Sequence, residues 1–389
     1  MQLSRASSDI AKSPLADFFQ RASRTENVIS MCVGEFNQPP SEHILAKVAY
    51  LIENAAEKIK YTPAHGLPLL LETIAKKHGC SVDNIAVGAG SKPLLSQSIK
   101  LLVNPEATVV IPSPHYPYYV GMAVSNGNKP IFINTQRTGF QLTASELERK
   151  RLVFNKSTRN LLILNSPTNP TGAVYTKANL QEIADFTQRH NMCVLADNAY
   201  SSIIYNTEHV DFASLPCMTE RTVSVHSFSK EYSMTGFRVG YAIGPKNFIS
   251  KLRIALASFE GCASYISQQV AISAINGPQD EKSEIVDELY QRQQILTDWL
   301  DWYGINYATP NGAFYVFANI PEMLGLGSIE CAEYLLERHV AVTPGIAFGT
   351  AYDNYLRFSY APVGISELEE ALRRIDKAIE AFEPIKQVI

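Results

Sequence analysis

The densest piece of chemistry in this chain is a lysine flanked by hydroxyls. Ser227-Phe228-Ser229-Lys230 is followed, after a short turn, by Met234-Thr235-Gly236-Phe237-Arg238. An amine forms a Schiff base with a carbonyl, and hydroxyls with a guanidinium hold a phosphate, so the cluster suits a phosphorylated aldehyde. Two further segments, Asn165-Ser166-Pro167-Thr168-Asn169-Pro170-Thr171-Gly172 and Asp197-Asn198-Ala199-Tyr200, each follow directly on a short apolar run. A carboxylate at the end of a buried strand is costly without a cation, which marks Asp197 as a group awaiting a positive partner. Arg357, inside the apolar run Tyr355-Leu356-Arg357-Phe358-Ser359, poses the converse problem: its planar fork needs an anion and suits a carboxylate. Val87-Gly88-Ala89-Gly90-Ser91-Lys92 precedes a helical pattern over 93–102, where free backbone amides can face an anion.

The elements that would position these groups alternate. Apolar runs at 107–111, 160–164 and 192–196 are separated by helical stretches such as 177–190, and such uninterrupted strands are buried on both faces. This pattern predicts an α/β fold with a mostly parallel sheet covered by helices. Ligands of such sheets bind beyond the carboxyl ends of the strands, where the polar segments lie. Upstream, a polar and irregular arm reaches about residue 40, followed by amphipathic helices over 43–58 and 69–78. Downstream come long helices over 246–257, 266–276 and 281–302, then a shorter β/α segment with strands at 312–317 and 355–360 and helices at 329–338 and 365–382. The expected division is an N-terminal arm with part of a small domain (1–40), a large domain (41–285) and a small C-terminal domain (286–389).

With 389 residues, 46% apolar and 19% charged, the composition is that of an ordinary globular protein. A net charge of −4 without any basic run gives no sign of a nucleic-acid partner. No apolar stretch is long enough to span a bilayer, and the N-terminal residues lack the apolar core of an export signal. Six scattered cysteines without a CxxC pair, and eight dispersed histidines, support no metal site. Reduced thiols in the cytoplasm are the expectation.

Taken together, the segments around Asn169, Asp197 and Lys230 resemble the class I/II pyridoxal-phosphate aminotransferases, the fold-type I group that includes aspartate aminotransferase. The resemblance extends from about Gly34 to the last helix. It implies a seven-stranded, mostly parallel sheet sandwiched by helices in a large domain, with a smaller α/β C-terminal domain. It implies that Lys230 carries pyridoxal 5'-phosphate and moves the proton between substrate Cα and the cofactor. Asp197 would face the pyridine nitrogen, Tyr200 and Asn169 the phenolic oxygen, and Tyr116 the ring face. Gly90, Ser91, Lys92, Ser227, Ser229 and Arg238 would form the phosphate cup. Arg357, with Asn169 and the Gly34 backbone, would bind the α-carboxylate. Tyr61, in Tyr61-Thr62-Pro63-Ala64-His65-Gly66, matches a tyrosine that reaches the phosphate from a neighbouring subunit, which implies a homodimer with shared active sites.

Departures bear on specificity. The loop Gly34-Glu35-Phe36-Asn37-Gln38-Pro39-Pro40 lacks the usual Gly-Glu-Pro-Asp stretch. No residue equates with a second arginine for a distal carboxylate; the corresponding region, Ser258-Phe259-Glu260-Gly261-Cys262-Ala263-Ser264-Tyr265, offers a glutamate instead. Tyr116, Tyr118, Tyr119 and Tyr265 would suit a neutral or aromatic substrate side chain. The expected reaction is amino transfer from an L-amino acid to a 2-oxo acid. The alternative on the same residues is a pyridoxal-phosphate lyase, cyclising synthase or oxidative enzyme. A non-catalytic aminotransferase-like half of a transcriptional regulator would need a DNA-binding domain, and no basic helix-turn-helix precedes Gly34.

Overall fold

The computed structural model describes residues 15–155 and 157–382. After a two-residue strand, β1 (Ile29–Ser30), seven strands build one sheet. They are β2 (Ile85–Gly88), β3 (Thr108–Ser113), β4 (Lys129–Asn134), β5 (Leu161–Asn165), β6 (Cys193–Asp197), β7 (Thr222–Ser227) and β8 (Gly240–Ile243), in the spatial order β2-β8-β7-β6-β5-β3-β4. Only β8 runs against its neighbours.

The central strands read as continuous apolar runs because alternate residues feed two different cores. Leu161, Ile163, Cys193 and Leu195 pack into one core with Leu94, Leu95 and Ile99 of the helix Ser91–Leu102 and with Ile249, Leu252 and Leu256 of the helix Lys246–Phe259. Leu162, Leu164, Val194 and Ala196 pack on the opposite face, against Leu180, Ile183, Ala184 and Phe186 of the helix Lys177–Arg189. The sheet is thus a layer between helices, as expected.

A further core forms around a small antiparallel sheet in which β12 (Leu356–Ser359) lies between β9 (Tyr315–Ala318) and β11 (Thr343–Pro344). A further short strand, β10 (Val340–Ala341), pairs in parallel with β1. The helices Asp280–Trp302, Ser328–Leu336 and Ile365–Glu380 cover this sheet through Leu296, Leu335, Leu368 and Ile375. No helix among the described residues is long and apolar enough to cross a membrane.

Two expectations need correction. Among the described residues, the segment before residue 40 is not an irregular arm: it contains the helix Leu15–Ala22 and β1, and Phe18, Ala22 and Met31 are buried in the core around the small antiparallel sheet, while the rest of the expected arm, 1–14, lies outside the described residues. The helix expected over 43–58 runs from Glu42 to Asn54, after which a separate 3₁₀ turn covers Ala56–Lys58.

Candidate active site

Strands β2, β3, β5, β6 and β7 end on the same edge of the sheet, at Gly88, Ser113, Asn165, Asp197 and Ser227. The reversed β8 begins beside them at Gly240, paired with both Gly88 and Ser227. Over this edge opens a cavity of about 1990 Å³. Of the expected residues, Gly34, Ser91, Lys92, Tyr116, Asn169, Asp197, Tyr200, Ser227, Ser229, Lys230, Arg238 and Arg357 all line it. Residues that span more than 300 positions of sequence therefore meet in one place.

One end is built for an anion. The helix Ser91–Leu102 starts two residues earlier than its pattern suggested, so Ser91 and Lys92 occupy its first turn and their backbone amides have no helical acceptor. Gly90 must be glycine here: its φ is +92°, and a Cβ would come within 2.5 Å of the Arg238 guanidinium. Arg238, itself left-handed at φ 52°, donates to Ser229 Oγ (3.4 Å) and to the Thr235 carbonyl (2.9 Å). Burial, then the neighbouring Arg238, hold the Lys92 pKa below the usual lysine range. Cations, hydroxyls and helix amides that converge without a carboxylate fit a phosphate dianion.

Lys230 follows β7 in the one-turn helix Phe228–Glu231, and its amine donates to the Gly34 carbonyl. Burial is the main cause that brings its pKa down to about 8; Arg238, Arg357 and Lys92 add to the effect and Glu35 opposes it. Asp197 is buried at the end of β6. Its carboxylate accepts from Tyr119 Oη (2.6 Å) and from the Ala199 amide (3.1 Å), and no cation pairs with it among the described residues. Burial raises its pKa, opposed by those two hydrogen bonds.

At the other end Arg357 sits on β12, its guanidinium between the rings of Tyr315 (4.5 Å) and Phe348 (4.9 Å). It donates to Asn169 Oδ1 (3.0 Å), Thr343 Oγ1 (3.2 Å) and the Cys32 carbonyl, all neutral acceptors, while its buried Nε has no partner. Asn169 is held in turn by its backbone amide on Asn165 Oδ1 (2.8 Å), and its side-chain amide donates to Tyr200 Oη at 3.4 Å.

Tyr61 stands apart from this cavity; its side chain is 97% exposed. Tyr265 and the rest of the segment 258–265 do not line it either. Glu260 from that segment instead accepts the Ala89 amide (3.2 Å) behind the anion-binding turn. Tyr119, read from sequence as a specificity residue, is buried and spends its hydroxyl on Asp197. Tyr315 was not singled out at all. Its hydroxyl lies 2.9 Å from that of Tyr200, a contact for which the local sequence carries no signal.

The sequence profile of the family described as "Aminotransferase class I and II" matches residues 26–375. The aspartate aminotransferase of Pyrococcus abyssi is 34% identical over 379 residues, 94% of this chain and 95% of that protein. The aromatic-amino-acid aminotransferase 2 of Thermococcus litoralis is 33% identical over 396 residues, 98% and 99% of the two chains. The crystal structure of the aspartate aminotransferase from Rhizobium meliloti superposes with a TM-score of 0.90 at 31% identity, covering 98% of this chain and 100% of that one.

Proposed function

Since the chain belongs to the class I and II aminotransferases, whose members use pyridoxal 5'-phosphate to move amino groups between amino and 2-oxo acids, we propose a role for each group in the cavity. When bound, the cofactor supplies an aldehyde for amino groups and a ring that withdraws electrons from substrate Cα. The residues present fit it. Ser91, Ser227, Ser229, Arg238, Lys92 and the amides after Gly90 would hold the phosphate. Asp197, a buried carboxylate lacking a cation, would hold the protonated ring nitrogen, and Tyr119 fixes it from behind. Tyr200 and Asn169 would face the phenolic oxygen, Tyr116 the ring and Lys230 the aldehyde carbon. The Lys230 amine, whose pKa burial brings down to about 8, would be the base that takes the proton from substrate Cα.

The observation that carries this reading is Arg357, a buried guanidinium with no carboxylate partner among the described residues. A substrate α-carboxylate completes it. The Gly34 backbone would assist Arg357 at that carboxylate, while its carbonyl accepts from the Lys230 amine. The guanidinium groups lining the cavity are Arg238 and Arg357, both already committed, and the wall includes Tyr116, Tyr118, Phe348, Ile346 and Val33. We therefore assign donors with large uncharged side chains. A screen of amino acids against the holoenzyme, read from the cofactor's visible absorption in the first half-reaction, tests this. Faster turnover of dicarboxylic than of aromatic donors would overturn the specificity, and a lack of response to any amino acid would overturn the reading as a whole.

Several large apolar side chains between residues 45 and 69 are exposed, among them Leu45, Tyr50, Ile52, Tyr61 and Leu69. We assign this face to a second copy of the chain, with Tyr61 reaching the partner's phosphate site. Mixing Tyr61→Ala with Lys230→Ala should then restore activity on subunit exchange, because one site of the mixed dimer carries neither lesion. The core around the small antiparallel sheet is read as that of the smaller domain, whose expected bounds are 1–40 and 286–389, with 1–14 and 383–389 outside the described residues. Six unpaired cysteines suit a reducing compartment such as the cytoplasm.

A further inference from the structure

Tyr315 touches three working parts of the cavity at once. Its ring carries the Arg357 guanidinium on one face (4.5 Å). Its hydroxyl lies 2.9 Å from that of Tyr200. The same oxygen would be 2.4 Å from a Cβ at position 34, so it fills the space beside the residue whose carbonyl holds the Lys230 amine. We propose that Tyr315 is a positioning residue that donates its hydroxyl proton to Tyr200 and so directs the Tyr200 proton into the cavity, toward the cofactor's phenolic oxygen.

The direction of that hydrogen bond follows from counting donors and acceptors. Each phenol has one proton and two lone pairs. Tyr315 is fully buried, and the structure gives its hydroxyl no acceptor other than Tyr200 among the described residues. A buried hydroxyl without an acceptor is costly, so its proton goes to Tyr200. Asn169 Nδ2 approaches the same Tyr200 oxygen from another side at 3.4 Å. With both lone pairs of Tyr200 facing donors, its own proton is left to point at whatever occupies the cavity. Acidity agrees with this assignment. Burial raises the pKa of both phenols and Arg357 lowers both, but the hydrogen bond to Tyr200 offsets the rise at Tyr315, while at Tyr200 the neighbouring Tyr315 adds to it. Of two paired phenols the more acidic one donates. The chain of donors would therefore run from the ring under the carboxylate clamp, through Tyr200, to the cofactor, each bond strengthening the next.

The inference rests on the reading that Tyr200 faces the cofactor's phenolic oxygen, and the test separates the two. A hydrogen bond donated to that oxygen stabilises negative charge there and loosens its hold on the proton shared with the Lys230 nitrogen. Weakening the bond therefore raises the midpoint of the pH titration of the bound cofactor's visible absorption. Tyr200→Phe should shift the midpoint upward. Tyr315→Phe, which keeps the ring under Arg357, should shift it upward by roughly 0.1–0.7 unit, the share that cooperativity contributes to a charge-assisted hydrogen bond. In the Tyr200→Phe background, Tyr315→Phe should add nothing, because its influence passes through Tyr200. No shift in Tyr315→Phe, a downward shift (the outcome if Tyr200 were the donor), or a shift that persists in the double variant overturns the inference while Tyr200 keeps its place. A Tyr200→Phe midpoint equal to the wild type removes the foundation and overturns both.

Discussion

Substitution of Gly34 by alanine tests how tightly the two halves of the site are fitted together. Gly34 does not have the left-handed backbone that favours glycine, so alanine meets no conformational strain there. The obstacle is steric: an added Cβ lies 2.4 Å from Tyr315 Oη, whereas the next nearest atoms, on Phe314 and Tyr315, are 3.6 Å away. Ordinary van der Waals contact requires about 1 Å more. Either the hydroxyl retreats and its 2.9 Å contact with Tyr200 lengthens, or the backbone retreats and takes with it the carbonyl that holds Lys230. Overpacking of this kind costs about 1–3 kcal/mol. Because a single oxygen causes the clash, Tyr315→Phe should relieve it. We expect Gly34→Ala to lower the urea midpoint of the holoenzyme, and the same substitution in a Tyr315→Phe background to have little effect. The coupling energy in the double-mutant cycle should exceed about 1 kcal/mol. Unfolding should be followed by both circular dichroism and cofactor absorbance at fixed protein concentration, because cofactor binding adds to apparent stability, as would the proposed subunit association. Additivity within about 0.5 kcal/mol would refute the steric argument and leave glycine at this position without a role.

Asp197→Ala should retain the cofactor through its phosphate while slowing transamination by about a hundredfold or more; near wild-type turnover would mean that Asp197 does not face the ring nitrogen. Apo Lys230→Met should be more stable than the apo wild type at pH 7. The folded pKa of Lys230, about 8, is below its ordinary 10.5, so its burial penalty is complete below pH 8 and fades as pH rises toward 10.5; urea midpoints across that range check the sign. Glu231 lies between Lys77 (2.6 Å) and Lys282 (2.7 Å); burial raises its pKa, but the two ammonium groups outweigh it and bring it down to about 2. The stability this gives is present above the ordinary carboxylate range and lost as pH falls toward 2. Glu231→Gln should cost about 1–3 kcal/mol at neutral pH and make unfolding less acid-sensitive between pH 4 and 2.

The parallel sheet was legible because its strands are buried on both faces. Leu161 to Leu164 send alternate side chains into two cores, so the run is apolar throughout and reads as a strand without knowledge of its neighbours. The polar residues that follow such runs stood out for the same reason, which is why Asp197 could be identified from its position alone. The helix Leu15–Ala22 did not stand out. It has only eight residues, and Phe18 and Ala22 are buried in a core they share with residues such as Leu372 and Ile375, some 350 positions further on. Helices this short take their stability from tertiary packing, so no local pattern predicts them securely. Tyr119 and Tyr315 escaped for a related reason. Their partners are 78 and 115 positions away, and a buried tyrosine looks the same in sequence whether its hydroxyl meets a carboxylate or a second phenol.

Three of the expected residues that line the cavity share one property: each is a charged group in a buried setting. Among the described residues Asp197 is a buried carboxylate without a cation and Arg357 a buried guanidinium without an anion, and Lys230 is an amine whose pKa the interior lowers. Each costs stability in the empty protein, since buried charges without partners are among the least favourable features a core can hold. A ligand that brings a cationic ring nitrogen, a carbonyl and a phosphate, followed by a substrate that brings a carboxylate, satisfies all of them together. Tyr119, Tyr315 and Asn169 are the neutral groups that keep these charges in place while they wait. This division explains what sequence reading can reach. A misplaced charge is visible from residue type and the apolarity of its neighbours, but supporting hydroxyls such as those of Tyr119 and Tyr315, which lie in no recognisable motif, become visible only once the fold brings their partners beside them.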